Sequence, residues 1–201
     1  EVKPMSQREE IIVYLNKNGG QITSKTANLM GISPRVLRNM YAHGQLERLA
    51  PGVYIDPLEF GDDIAALQYS LSKGIFFKDT ALFLYGMIDR TPSTYEMNFP
   101  LPYAYSTKND APIKIYRQKK ELYEIGITTT KTPGGHLVKV YDVERTLCDI
   151  LRTRDRSDAE TIKQAMNSYT HRKGKNLRQL MTYARIFKVE EEIRAYMEVL
   201  L

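Results

Sequence analysis

The stretch Ile22–Tyr54, ITSKTANLMGISPRVLRNMYAHGQLERLAPGVY, decides how the first part of this chain folds. Thr23 has the hydroxyl of a helix N-cap and stands before a short helix over 24–30, which Gly31 ends, because glycine readily adopts the left-handed conformation that closes a helix. Ser33-Pro34 opens a further helix: serine is the cap, and proline takes the first helical position, where a missing N–H is no loss. That helix runs to about His43, with Gly44 as its stop. Ala27 and Gly31 stand four apart, a small residue where two helices cross and a glycine where the backbone turns. Gln45–Leu49 and Val53–Ile55 flank Ala50-Pro51-Gly52, and Pro-Gly at the centre of a turn favours type II. Helix, tight turn, helix and short hairpin make up the layout of a winged helix-turn-helix.

The periodicity also assigns faces. With Ile32, Leu37 and Met40 pointing inward at helical spacing, the opposite face of the second helix carries Ser33, Arg35, Arg38 and Asn39. Arginine forks match guanine O6/N7 and asparagine pairs with adenine N6/N7, so this face has base-reading chemistry. Ser24 and Lys25 begin the first helix and suit phosphate contacts, and Arg48 is expected near the tip of the wing. The face carries no carboxylate, which favours DNA over the alternative of a winged helix that makes protein contacts alone.

Working outward, Ser6–Leu15 reads as a helix with Ser6 as cap, Glu9 completing a capping box, and Ile11, Ile12 and Leu15 as its apolar stripe. Asn18-Gly19-Gly20 stops it, and Gln21–Ile22 is a candidate short strand. Downstream, Asp56-Pro57 breaks the hairpin and the acidic run Glu59–Asp63 reads as a linker. The expected division is therefore a winged helix-turn-helix over 1–57 and a second domain over 58–201.

In the second domain, helices are expected over Ile64–Ser72 behind an Asp cap and over Ala81–Tyr85 behind Asp79 or Thr80. Ile75–Phe77, Thr94–Phe99, Ile113–Tyr116, Tyr123–Thr130 and His136–Tyr141 read as strands, the last two around the turn Thr132-Pro133-Gly134-Gly135. Asp142 caps a helix of Val143, Leu147, Ile150 and Leu151, and Asp158–Tyr169, Leu177–Arg185 and Val189–Leu200 close the chain as helices. The expected class is α+β: a winged helix-turn-helix, then a mixed α/β domain with a small sheet and closing helices.

Bulk numbers exclude some classes. At 201 residues the chain can hold one large domain or two small ones, and 42% apolar with 26% charged residues is ordinary for a globular protein. No stretch nears the roughly 18 unbroken apolar residues of a membrane span, so no membrane partner is expected. The opening EVKPMSQREE has no apolar signal-peptide region, although the chain begins at Glu1 rather than Met, which leaves an address further upstream open. A single cysteine, Cys148, allows no intrachain disulfide and points to a reducing, cytoplasmic setting, with its side chain buried beside Leu147 and Leu151. His43, His136 and His171 lack ligand spacing, so neither a metal site nor a cofactor is expected. Net charge is +5, and its distribution says more than its total. Residues 17–48 hold five basic residues against one acidic, 61–110 four against six, and 111–201 eighteen against twelve. Only the first basic region coincides with a recognisable DNA reader.

A mixed α/β segment of this size could hide a nuclease, which needs an acid and then Asp/Glu-x-Lys on a strand to hold a metal and orient water. Glu1-Val2-Lys3 is the sole match and precedes the first helix. There is no phosphate loop, because Gly134-Gly135 has no following Lys-Ser/Thr, and there is no Gly-x-Ser-x-Gly elbow. The expectation is a protein that is not an enzyme and has no catalytic residues.

The order of features resembles the antitoxins of the AbiE abortive-infection systems, a bacterial toxin–antitoxin family classed as type IV. The resemblance rests on the Ser33–Arg38 helix start with Leu49-Ala50-Pro51-Gly52-Val53-Tyr54, on Thr80-Ala81-Leu82-Phe83-Leu84-Tyr85-Gly86, and on Val140-Tyr141-Asp142-Val143-Glu144-Arg145-Thr146-Leu147-Cys148-Asp149. It implies a phage-defence antitoxin with two roles. The first domain would bind inverted repeats in double-stranded promoter DNA and repress its own operon, as a monomer in solution that pairs on DNA. The second would counter a nucleotidyltransferase-like toxin without a stable complex. The alternative is a stand-alone winged-helix regulator with an effector-binding or dimerisation domain. Within the last motif, Arg145 and Asp149 are spaced to pair on a helix and Glu144 suits its first turn, which reads as architecture rather than chemistry. The clusters Arg152/Arg154/Arg156 and Arg172/Lys173/Lys175/Arg178 are solvated faces or, alternatively, an antitoxin or nucleic-acid surface.

Overall fold

The structure, a computed structural model, describes residues 4–104, 112–152 and 157–200. It divides into two compact units, the first running through Ser72 and including Lys131–His136, the second made of Lys73–Thr130 and the chain from Leu137 onward.

The first unit opens with α1 (Gln7–Lys17). Its capping box forms as the sequence requires: the Ser6 hydroxyl accepts from the Glu9 N–H at 3.3 Å, and the Glu9 carboxylate accepts from the Ser6 N–H at 2.7 Å. Then come β1 (Gln21–Thr23), α2 (Ser24–Leu29), α3 (Pro34–Ala42), β2 (Glu47–Ala50), β3 (Val53–Ile55) and α4 (Asp63–Ser70). The strands form an antiparallel sheet in the order β1-β3-β2, the wing being β2 and β3 joined through Pro51-Gly52. Gly52 sits at φ +77°, the region a type II turn demands of glycine. Ile11, Leu15, Ile22, Ala27, Ile32, Leu37, Met40, Leu46 and Tyr54 form one core beneath these elements. Each fully buried Leu or Ile there contributes about 1.5–3 kcal/mol over its exposed state.

Asp62 caps α4, accepting from the Ala65 N–H at 2.9 Å. Its second oxygen accepts from the Thr132 hydroxyl and lies 2.8 Å from His136 Nδ1, which is how Lys131–His136 comes to belong to the first unit. Gly134 allows this approach, since a Cβ there would stand 2.6 Å from Asp62 Oδ2.

The second unit contains β4 (Ile75–Phe76), α5 (Lys78–Leu84), β5 (Tyr95–Pro100), β6 (Ile113–Gln118), α6 (Lys120–Tyr123), β7 (Ile127–Lys131), β8 (Leu137–Tyr141), α7 (Val143–Leu151), α8 (Ala159–Thr170), α9 (Leu177–Phe187) and α10 (Glu190–Leu200). Its mixed sheet has the order β6-β5-β4-β8-β7, with β4 antiparallel to β5 and parallel to β8, and β5 parallel to β6. Leu147, Ile150 and Leu151 of α7 form one core with Met166, Leu180, Phe187 and Ile193 from α8, α9 and α10. The α+β class with a winged N-terminal unit, a small sheet and closing helices is what the sequence led us to expect.

Two local expectations differ. Neither Asp79 nor Thr80 caps α5, which starts at Lys78; the Thr80 hydroxyl instead accepts from the Glu96 N–H at 2.9 Å, and Asp79 takes the Ser157 hydroxyl at 2.5 Å. The Asp79 N–H at the helix start donates to the Glu96 carboxylate at 3.0 Å, so β5 supplies the cap. Tyr123 ends α6 rather than beginning a strand, its hydroxyl donating to the Lys73 carbonyl at 2.7 Å.

Candidate nucleic-acid interface

Helix α3 is built to present one face. Ser33 caps it and Pro34 holds its first position, while Leu37 and Met40 are buried with Ile32 and Ala27. The remaining turns therefore put Ser33, Arg35, Arg38 and Asn39 on the exposed side. Among the described residues, the Arg35 and Arg38 side chains have no hydrogen-bond or ion-pair partner, so their forks stand ready for an external acceptor. Gln7 fixes the turn that aims this helix: its amide donates to the Gly31 carbonyl and accepts from the Ser33 N–H, both at 3.2 Å.

The supporting residues divide. Lys25 is exposed on α2, whereas Ser24 is half-buried and its N–H donates to the Gly52 carbonyl at 2.8 Å, so a phosphate contact there falls to the side chain. Arg48 is exposed in β2 opposite Tyr54, just before the turn rather than at its tip, and the strand register shifts between Arg48 and Ala50. A shallow cleft of about 430 Å³ brings Arg8 and His43 beside Asn39, with Val36, Met40 and Gln45 completing its lining. Sequence reasoning did not place Arg8 beside Asn39. The available signal was a basic residue in the first turn of α1, a position unfavourable to the helix dipole and so calling for an explanation.

The C-terminal basic residues are less uniform. Arg152 is half-exposed, 3.8 Å from Asp149 and 5.7 Å from the Phe187 ring. Arg172 lies over the Tyr85 ring at 5.6 Å, Lys175 donates to the Thr170 carbonyl at 2.8 Å, and Lys173 and Arg178 are exposed. Arg154 and Arg156 lie outside the described residues. The Cys148 thiol is fully buried, and burial pushes its pKa up, away from thiolate chemistry. Among the described residues no three His, Cys, Asp or Glu side chains come together to hold a metal ion, and no helix is long and apolar enough to cross a membrane.

Glu144, Arg145 and Asp149 are not surface groups. Every residue of α7 is buried, and each of the three has its partners inside. Arg145 donates from Nε to Asp149 at 2.6 Å, from Nη1 to the Leu122 and Ile125 carbonyls at 2.7 and 3.0 Å, and from Nη2 to Gln118 Oε1 at 2.7 Å. Its guanidinium is sandwiched by the Tyr141 and Phe187 rings, 4.3 and 3.9 Å away. Glu144 accepts from the Tyr169 hydroxyl at 3.0 Å and from the Asn176 N–H at 2.9 Å. Burial raises the Asp149 pKa against the pull of Arg145.

Residues 10–55, which hold most of α1, the helix-turn-helix and the wing, match the family described as "Transcriptional regulator, AbiEi antitoxin". This segment is similar to AbiEi-type regulator domains. Over the whole chain the fold resembles the crystal structure of the RV2827C protein from Mycobacterium tuberculosis, with a TM-score of 0.55 and 12% identity, covering 100% of this chain and 82% of that one. At that identity the likeness concerns the fold alone. No curated protein sequence matches the chain. The matched segment contains every residue expected here to read DNA, from Ser24 to Arg48.

Proposed function

We propose that this protein is an autoregulating antitoxin of an abortive-infection, phage-defence system. Its first 57 residues bind inverted repeats in the double-stranded DNA of its own promoter, and residues 58–201 counter a nucleotidyltransferase-like toxin without forming a stable complex. It acts in the cytoplasm, as a monomer that pairs on DNA, and not as an enzyme. The observation that carries the reading is the exposed face of α3: two arginines without partners among the described residues and an asparagine, set on a helix whose other side is locked into a core within the segment similar to AbiEi-type regulator domains.

In this reading the face of Ser33, Arg35, Arg38 and Asn39 takes base edges, Ser24 and Lys25 hold phosphates that set the register, and Arg48 meets the DNA from the wing. The test is a gel-shift titration on the promoter upstream of the protein's own gene. Arg38→Ala and Asn39→Ala are each expected to cost about 1–3 kcal/mol of operator affinity. Wild-type binding by both variants would rule out α3 as the reader. Co-expression with the adjacent toxin gene tests the second role, where failure to rescue growth counts against an antitoxin and leaves a stand-alone regulator.

A further inference from the structure

We propose that the second unit holds a small-molecule site, a cleft lined by Phe77, Lys78, Tyr116, Gln118, Asp149 and Arg152, whose ligand is a phosphate monoester carrying a neighbouring O–H or N–H donor. The cleft encloses about 350 Å³, at the lower end of the range for small-molecule sites.

Charge selects an anion. Arg117 and Arg152 bring two guanidinium groups to a lining that also holds Lys78, and its one carboxylate, Asp149, is hydrogen-bonded by Arg145 at 2.6 Å. Lys78 is 3% exposed and sits at φ +49°, a left-handed backbone that L side chains rarely adopt and that persists when the surrounding structure over-determines it. A lysine held in that way is a built feature of the cleft rather than a surface group that drifted there. An arginine and a lysine together fit phosphate oxygens, the arginine through its fork and the lysine as a point charge.

The carboxylate adds a second requirement. Asp149 is 1% exposed, its Oδ2 accepts from Arg145, and its Oδ1 has no hydrogen-bond partner among the described residues. The Arg152 guanidinium stands 3.8 Å from that oxygen, beyond hydrogen-bond reach. A buried carboxylate oxygen without a donor calls for one. The ligand must therefore offer an anionic oxygen to Arg152 and a donor to Asp149 side by side, as a sugar phosphate or a nucleotide does. Sulfate has no donor and would set a like charge against Oδ1. Bound there, such a ligand would join β6, α5 and the end of α7, which supply the lining.

The experiment is calorimetric titration of the full chain with ribose 5-phosphate and with guanosine 5′-monophosphate, and with ribose and sodium sulfate as controls. At least one ester is expected to bind saturably, with ribose and sulfate silent over the same range. Arg117→Gln and Arg152→Gln should each weaken ester binding at least about tenfold, by loss of charge-assisted contacts. Arg117 is exposed, so its variant should keep the wild-type melting temperature and promoter affinity. The site is refuted if neither ester binds up to roughly 10 mM, a limit weaker than most specific sites reach. It is equally refuted if sulfate binds as tightly as the esters, or if binding survives both substitutions.

Discussion

Replacing Arg145 by methionine should destabilise the second unit more than any surface change. The side chain is 0% exposed and donates to Asp149, to Gln118 and to the carbonyls of Leu122 and Ile125. Methionine keeps much of the apolar volume between Tyr141 and Phe187 but deprives a buried carboxylate of the counter-charge hydrogen-bonded to it. Breaking a buried pair from one side costs about 3–5 kcal/mol. In a chain of this length each kcal/mol lowers Tm by roughly 2–4 °C, so a fall of roughly 6–20 °C is expected. The decisive variant is Arg145→Met with Asp149→Leu, which removes the stranded charge as well. If the penalty is the orphaned carboxylate, the double variant should be more stable than Arg145→Met alone, with a coupling of about 1–3 kcal/mol. The assay is urea unfolding of the four proteins by circular dichroism, with urea midpoints and slopes compared. Costs that simply add, or an Arg145→Met penalty below about 1 kcal/mol, would refute the account of Arg145 as the tie between α7, α6 and β6.

Two further outcomes separate other parts of the molecule. Lys25→Ala should weaken binding to all DNA sequences alike and flatten the plot of log affinity against log salt by about 0.9, one phosphate contact; an unchanged slope in fluorescence anisotropy removes that contact. Burial raises the Glu96 pKa despite the hydrogen bond from Tyr116, so the folded state holds the proton more tightly than the unfolded chain does. Its contribution is fully present below the ordinary glutamate pKa and is lost as pH rises through the raised folded value. Relative to Glu96→Gln, the wild type should therefore gain stability as pH falls from neutral towards about 4, and parallel stability curves for the two proteins would contradict the shift.

How far the sequence could be read depends on the range of the forces involved. The caps at Ser6, Thr23, Ser33, Asp142 and Asp158 form where their residue types placed them, because each bonds an N–H within its own first turn. The cap of α5 was illegible, since its acceptor, Glu96, arrives on β5 from 17 residues away. The exposed face of α3 was legible because helical periodicity that buries Leu37 and Met40 must expose Arg38 and Asn39. Helix α7 was legible in part. Arg145 and Asp149 pair as their spacing allows, but that no side of the helix is wet follows from α5, α8 and α9 packing around it.

What the sequence determined alone is thus the winged helix-turn-helix over Ile22–Tyr54, with its inward and outward faces. Period, caps and turn residues there all act within a few positions of one another, so one strand of text contains the physics. The tertiary structure alone decided that Arg145 is sealed between two rings, and that Lys78, Gln118 and Arg152 line one cleft. Those residues come from elements far apart in the chain. Their meeting depends on the order of strands in the second sheet and on the packing of α7, which no local pattern encodes.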